Sequence, residues 1–188
     1  MSFEPISSVV TPRLVLRPVA PTDLPDLLEI NCDPEVTRFL PYATWQSLDD
    51  GALWLERMNG LASSGTGQQL VVVRAADGKV VGTVLLFKFD ESSSRIEIGY
   101  VLGRKYWHQG LMREALAFTC EHAFSGMSIR RIEAEVNPAN VASNALLRAV
   151  GFTLEGTLRQ RWMAKGAAYD TNVYGFLDED WRRGRNAA

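Results

Sequence analysis

Apolar residues recur along the chain with two periods. "RLVLRPV" (13–19) alternates apolar and polar positions as a half-buried strand does, and "PTDLPDLLEI" then opens a short helix that Thr22 or Asp23 can cap. "SLDDGALWLERMNGLASSG" (47–65) predicts a second amphipathic helix, capped by Ser47, with Leu48, Leu55 and Met58 toward the core. Three β-rich runs follow, "QQLVVVRA", "VVGTVLLFKF" and "RIEIGYVLG", joined by "ADGK" and "DESSS", connections short enough for antiparallel hairpins. A helix from about Gly110 to Phe124, a strand over 129–136 and a helix from "NPANVASNALLRAV" come next, the last ended by Gly151. "FTLEGTLRQRWM" and "YDTNVYGFL" read as two more strands, and "DEDWRRGRNAA" is expected to fray. The order βααβββαβαββ mixes hairpins with strand-helix-strand units, which predicts one α+β sandwich, of α/β type, over residues 11–178 with tails at 1–10 and 179–188.

Composition removes several classes of function. A chain of 188 residues is long enough to bury roughly 70% of its unfolded surface, so neither metal nor disulfide is needed for stability. Twenty basic residues against twenty-two acidic ones leave a net charge of -2, which offers no field for a polyanion; nucleic acid is excluded as a main partner. Cys32 and Cys120 lie far apart in sequence and read as small core residues in a reducing compartment. The start "MSFEPISSVV" has neither a basic n-region nor a long apolar segment, and no stretch reaches the ~18 apolar residues of a spanning helix. A soluble, cytoplasmic protein with no membrane partner is expected.

Candidate chemistry begins at "YVLGRKYWHQGLMREAL" (100–116), where a strand runs into a helix with Gly110 at the junction. The first turn of a helix points unpaired N–H groups outward and carries partial positive charge, so it binds phosphate without basic side chains. Gly110 would let an anion approach the backbone closely, although an ordinary tight turn also takes a glycine. A second feature is the helix from Asn140 onward. Ala142, Ala145, Leu146 and Ala149 fall on one face and would pack on the sheet, leaving Asn140, Ser143, Asn144 and Leu147 on the opposite face. Short neutral hydrogen-bonding groups beside a leucine suit a ligand with amide and thioether-like parts. The alternative is that Asn140 only caps the helix and Ser143 is a tolerated first-turn residue.

"RIEIGYVLGRKYWHQGLMREAL" followed by "VNPANVASNALLRAVGFTLEGTLRQRW" resembles the GNAT superfamily of acetyl-CoA-dependent N-acetyltransferases, and within it the RimJ/RimL-like branch that acetylates protein N-termini. The resemblance runs from about Thr11 to Leu177. It implies the GNAT fold, a mixed and mostly antiparallel seven-stranded sheet with helices on both faces, acetyl-CoA as cosubstrate, and no metal. In the family a loop patterned [Gln/Arg]-x-x-Gly-x-[Gly/Ala] cradles the coenzyme pyrophosphate. Aligned on Gly110, this chain supplies Trp107 at the first position and Met112 at the last, so only the central glycine matches. The role rests on backbone donors, which Gln109, Gly110, Leu111, Met112 and Arg113 can present. By the same resemblance the pantetheine arm pairs with the strand edge near Tyr100, Val101 and Leu102, as a ligand added to a sheet. Asn140, Asn144, Arg113 and Arg148 are further candidate coenzyme contacts.

Attack of a neutral amine on a thioester requires a route for the amine proton, a donor for the oxyanion and an acid for the leaving sulfur. The tyrosine that is the acid in much of the superfamily is replaced here by Leu147; in the RimJ/RimL-like branch the serine of Asn-x-x-Ser takes the role, which implies Ser143. Val101 would polarise the carbonyl through its N–H. Glu97 in "RIEIGY" is the candidate base, acting through water, and the alternative is a strand carboxylate paired with Arg95 or Arg131. Relatives that carry a carboxylate further on have it where this chain has Trp162. An α-amine of pKa ~7.7 to 8.0 is roughly 10 to 15% neutral at pH 7, and a lysine near 10.4 only about 0.04%, so a weak base suits an N-terminal amine better. Tyr42 and Trp45, on a loop, are candidates for a substrate wall or a dimer contact, and the branch implies a homodimer. Three readings follow: acetylation of a protein N-terminus, acetylation of a small amine such as an antibiotic or polyamine, and coenzyme sensing without turnover. No acidic cluster along the chain marks a polycation site.

Overall fold

The computed structural model describes residues 4–186. Its centre is an eight-stranded sheet in the order β1-β2-β3-β4-β5-β6-β8-β7. The strands are β1 (Val9–Val10), β2 (Leu14–Pro18), β3 (Gln68–Arg74), β4 (Val80–Asp90), β5 (Arg95–Leu102), β6 (Arg131–Val136), β7 (Thr153–Ala164) and β8 (Ala167–Leu177). The seven strands read from the pattern are all present. The eighth, β1, pairs Val9 with Leu16 and Val10 with Val15, and Ile6 before it is buried, so the expected N-terminal tail is partly core.

Alternation along the central strands sends residues to two separate cores. Leu70 and Val72 of β3 face one cluster and Val71 the other. The larger core is covered by α4 (Leu111–Gly126), which turns Leu111, Met112, Ala115, Leu116, Thr119, Cys120, Ala123 and Phe124 inward at helical spacing, and by Leu147 of α5 (Val141–Val150). The smaller core is covered by α1 (Leu24–Asn31) and α3 (Leu48–Ser63), with the short α2 (Pro34–Thr37) between them. Ser47 caps α3 in a capping box with Asp50, as its sequence predicts. Leu48, expected to be buried, is exposed; Gly51, Trp54 and Leu55 form the buried stripe instead.

The C-terminal segment expected to fray is helix α6 (Asp178–Asn186). Asp178, Glu179 and Asp180 occupy its first turn and Arg183 and Arg185 its last, the polarity that complements the helix dipole. Trp181 anchors it, its ring centroid 5.7 Å from that of Phe124. Among the described residues, no helix is long and apolar enough to cross a membrane.

One pairing matters most for function. Every neighbouring pair in the sheet is antiparallel except β5 and β6, which are parallel and register only at Arg95 with Arg131, Ile96 with Ile132 and Glu97 with Glu133. β5 runs on to Leu102 and β6 to Val136 without pairing again. From Ile98 onward β5 therefore keeps β4 on one side and pairs with no strand on the other, where the Leu102 carbonyl accepts instead from Trp107 Nε1 at 2.8 Å.

Candidate active site

The open edge of β5 has two faces, and alternation assigns a different chemistry to each. Ile96, Ile98, Tyr100 and Leu102 point to the larger core, under α4 and α5, while Val101 points to the smaller core. Glu97 shares the Val101 face and stands directly across from Phe87 of β4. The splay of β5 from β6 thus begins beside Glu97, with the Tyr100 side chain on one face of β5 and the Glu97 carboxylate on the other.

On the first face, Tyr100 Oη and Ser143 Oγ share a hydrogen bond of 2.7 Å. Asn140 fixes Ser143: its side-chain oxygen accepts from the Ser143 N–H at 3.2 Å, the N-cap bond that starts α5. Burial pushes the Tyr100 hydroxyl well above the ordinary phenol range, with Ser143 opposing through its hydrogen bond. Tyr100 accordingly stays protonated. Its contact with Ser143 joins residues 43 apart in sequence and carries no local sequence signal.

The inward face of α5 differs from the one expected. Asn144 and Leu147 are buried, whereas Ala142, Ala145 and Ala149 are exposed. Asn144 is not available to a coenzyme. Its amide Nδ2 donates to the carbonyls of Asn137 at 3.1 Å and Asn140 at 2.7 Å, and its Oδ1 accepts from Asn172 Nδ2 at 2.7 Å and Tyr174 Oη at 2.8 Å. Four satisfied bonds explain why a short polar residue occupies an inward position.

The strand-to-helix junction is a glycine turn that opens a 16-residue helix with no side-chain cap bond. Gly110 takes a left-handed conformation, φ 74°, at the N-cap of α4, so the helix begins in a turn that suits glycine. The Leu111 and Met112 side chains are buried in the larger core, and only their main-chain N–H groups can meet a ligand. Gln109 is tethered twice: its carbonyl accepts from Arg13 Nη1 at 3.0 Å, and its amide donates to Lys105 O at 2.9 Å. Arg13 also pairs with Glu114 at 2.6 Å, offsetting the one acidic residue in the first turn. No nearby sequence signal marks Arg13, which acts across a separation of 101 residues. Arg113 is exposed beside this turn, and Arg148 is exposed with its guanidinium 5.7 Å over the Tyr174 ring. His108 is also exposed in the loop, at φ 59°.

On the second face the strands gather Glu97, Glu133 and Glu135, a row of carboxylates that spacing along the chain does not reveal. Each has a cation: Lys88 is 2.7 Å from Glu97, Arg95 and Arg131 are each 2.8 Å from Glu133, and Arg161 is 3.4 Å from Glu135. Glu97 pairs with neither Arg95 nor Arg131. Its burial pushes the carboxyl above the ordinary range; Lys88 opposes that shift, and Glu135 and Glu133 add to it. Trp162 closes the row, its indole N–H donating to Glu135 at 2.6 Å.

Trp45 is a correction to the substrate-wall expectation. It is buried in the smaller core, 5.6 Å from the Trp54 ring, because Gly51 leaves room for it: a Cβ there would lie 2.9 Å from the indole. Tyr42 is half-buried beside it, and its hydroxyl donates to Asn31 Oδ1 at 3.0 Å. Both aromatics stabilise the α1–α3 layer.

Among the described residues, no group of three or more His, Cys, Asp or Glu side chains could hold a metal ion. A concavity of about 690 Å³ under α6, lined by Phe124, Arg130 and Trp181 among others, shares no residue with the cleft.

The fold and this cleft define an acetyl-transfer enzyme, and comparison with known proteins agrees. Residues 13–153 match the acetyltransferase (GNAT) domain, and the chain belongs to that family. An uncharacterized N-acetyltransferase, p20, of Bacillus licheniformis is 30% identical over 94% of this chain and 99% of its own length. The [ribosomal protein uS5]-alanine N-acetyltransferase of Escherichia coli is 33% identical over 47% of this chain and 45% of its own. The structure of Mycobacterium smegmatis RimJ in complex with CoA-disulfide superposes with a TM-score of 0.82 at 24% identity, covering 93% of this chain and 88% of that one.

Proposed function

We propose that this enzyme moves the acetyl group of acetyl-CoA directly onto a primary amine within a ternary complex, and that the acceptor is the α-amine of a peptide or protein N-terminus. The observation that carries the reading is the opening between β5 and β6, with the Tyr100–Ser143 hydroxyl pair on one face and Glu97 on the other. The thioester would reach the gap from the α4–α5 face and the amine from the Glu97 face. The Leu111, Met112 and Arg113 N–H groups, with Gly110, would take the diphosphate, and the edge near Tyr100 and the Leu102 N–H, where the main-chain groups turn away from β4, the pantetheine amides; Val101 turns its own N–H toward β4.

Glu97, with its raised carboxyl, receives the amine proton through water. Ser143 supplies a proton to the departing thiolate, and Tyr100 replenishes or orients it. An α-amine suits this arrangement, because roughly 10% or more of it is already neutral at pH 7 and the base has little work to do. A polyamine suits it less. Of the carboxylates that would attract its additional ammonium groups, Glu133 and Glu135 are held by arginines of the chain itself.

Thiol release from acetyl-CoA, measured across short peptides with free and blocked N-termini, lysine-only peptides, spermidine and small amines, tests the reading. Turnover confined to free α-amines supports it; turnover confined to spermidine or small amines replaces the acceptor.

A further inference from the structure

The acceptor side of the cleft already holds a primary ammonium, and it belongs to the protein. Phe87 and Glu97 face each other across β4 and β5, so Lys88, next in the strand, would ordinarily point to the opposite face. It does not. The β4–β5 register shifts between Phe87 and Asp90, and Lys88 adopts φ 53°, a left-handed conformation that a lysine rarely takes. This turn returns the side chain to the Glu97 face. There its Nζ lies 2.7 Å from Glu97 Oε2, 5.2 Å from the Phe87 ring centroid and 6.0 Å from that of Trp162. Two aromatic rings and a buried carboxylate around one nitrogen make a site that selects an alkylammonium by charge, hydrogen bonding and cation–π attraction.

We propose that Phe87, Glu97 and Trp162 form the ammonium subsite for the acceptor, and that Lys88 is its resident occupant, displaced when the acceptor binds. The proposal rests on the reading of this face as the acceptor side. Trp162 is fixed for the role by its bond to Glu135, and the Lys88 side chain, 48% exposed, can swing into solvent without disturbing the core. Lys88 thus keeps the buried carboxylate paired in the resting enzyme and sets a threshold that an acceptor cation has to exceed.

Calorimetric titration of a short peptide beginning with N,N-dimethylalanine tests this, since its tertiary ammonium keeps one N–H and forms no stable amide. Lys88→Met, which removes the competitor, is expected to bind the peptide about tenfold tighter than the wild type. Lys88→Arg is expected to remain as weak as the wild type, and Lys88→Met combined with Glu97→Gln to lose the gain. Equal, weaker or undetectable binding by Lys88→Met overturns the proposal. A parallel titration with CoA reads the other face: failure of the wild type to bind CoA would sink the acetyl-CoA reading while leaving the peptide result to stand or fall alone.

Discussion

The hydroxyls of Tyr100 and Ser143 meet at 2.7 Å across the gap between β5 and α5, and the N-cap bond from Asn140 holds the serine in place. If Ser143 protonates the leaving sulfur, Ser143→Ala lowers kcat by about 10²- to 10⁴-fold, the usual range for a lost acid, while the dissociation constant for CoA changes little. Tyr100→Phe is expected to lower kcat by less, because the phenol acts on sulfur only through the serine. Adding it to Ser143→Ala should cost almost nothing more. Steady-state thiol release with the three variants, alongside CoA titration, checks the order.

Gly110 and Gly78 offer a matched pair. Both are left-handed, at φ 74° and 71°, and a Cβ at either meets no close backbone. Alanine at each therefore adds similar strain, about 1 kcal/mol, and thermal midpoints should fall alike. Only Gly110→Ala places a methyl group at the start of α4, where the diphosphate is proposed to sit. It is expected to weaken CoA binding by roughly tenfold, through lost close approach to the backbone donors, with Gly78→Ala unchanged. Equal CoA affinity in both variants would move the diphosphate elsewhere.

The elements whose signals are local were legible in the sequence. β2, the β3–β4–β5 meander and α4 follow from periodicity alone, and Ser47 from its capping pattern. The inward face of α5 was not, because a helical wheel treats Asn144 as polar surface; its burial depends on Asn172 and Tyr174, which arrive from β8. Trp45 lies in a loop and reads as exposed until Gly51 is seen to make space for it. Lys88 carries no signal at all, since its orientation comes from a bulge in the pairing of two strands. At the candidate site, Gly110 at the head of α4, Ser143 in the first turn of α5 and Glu97 on β5 lie in the elements the sequence predicts, and their roles are proposals. The partners that orient them, Arg13, Tyr100 and Lys88, are products of tertiary contact.

Asn144 tests the buried network apart from catalysis. Asn144→Ala removes two acceptor bonds and leaves Asn172 Nδ2 and the fully buried Tyr174 hydroxyl without that partner. Each unsatisfied buried donor costs about 1 to 3 kcal/mol, so the loss from the two should total about 2 to 6 kcal/mol. For a chain of this length that corresponds to a midpoint lowered by roughly 4 to 24 °C. Affinity for CoA, measured well below the transition, should stay near the wild-type value. A large loss of affinity at unchanged stability would return Asn144 to the coenzyme site.

The buried carboxyl of Glu97 ties activity and stability to the same proton. Burial raises its pKa, Lys88 opposes the rise, and Glu135 and Glu133 add to it. The native protein therefore holds this proton at pH values where the unfolded chain, near an ordinary ~4.3, has released it. With more protons bound in the native state, stability falls as pH climbs from the unfolded value through the raised native one. Denaturant titrations across that window should show the wild type losing stability relative to Glu97→Gln, which lacks the titration. Activity runs the other way: kcat/KM should rise with pH as the base loses its proton, along a limb above the usual carboxylate range, and Glu97→Gln should lower it about 10²- to 10⁴-fold. Lys88→Met removes the cation paired with Glu97 and leaves Glu133 and Glu135 beside it, so both the activity limb and the stability window should move to higher pH. A limb that stays in place in Lys88→Met would separate the kinetic proton from Glu97.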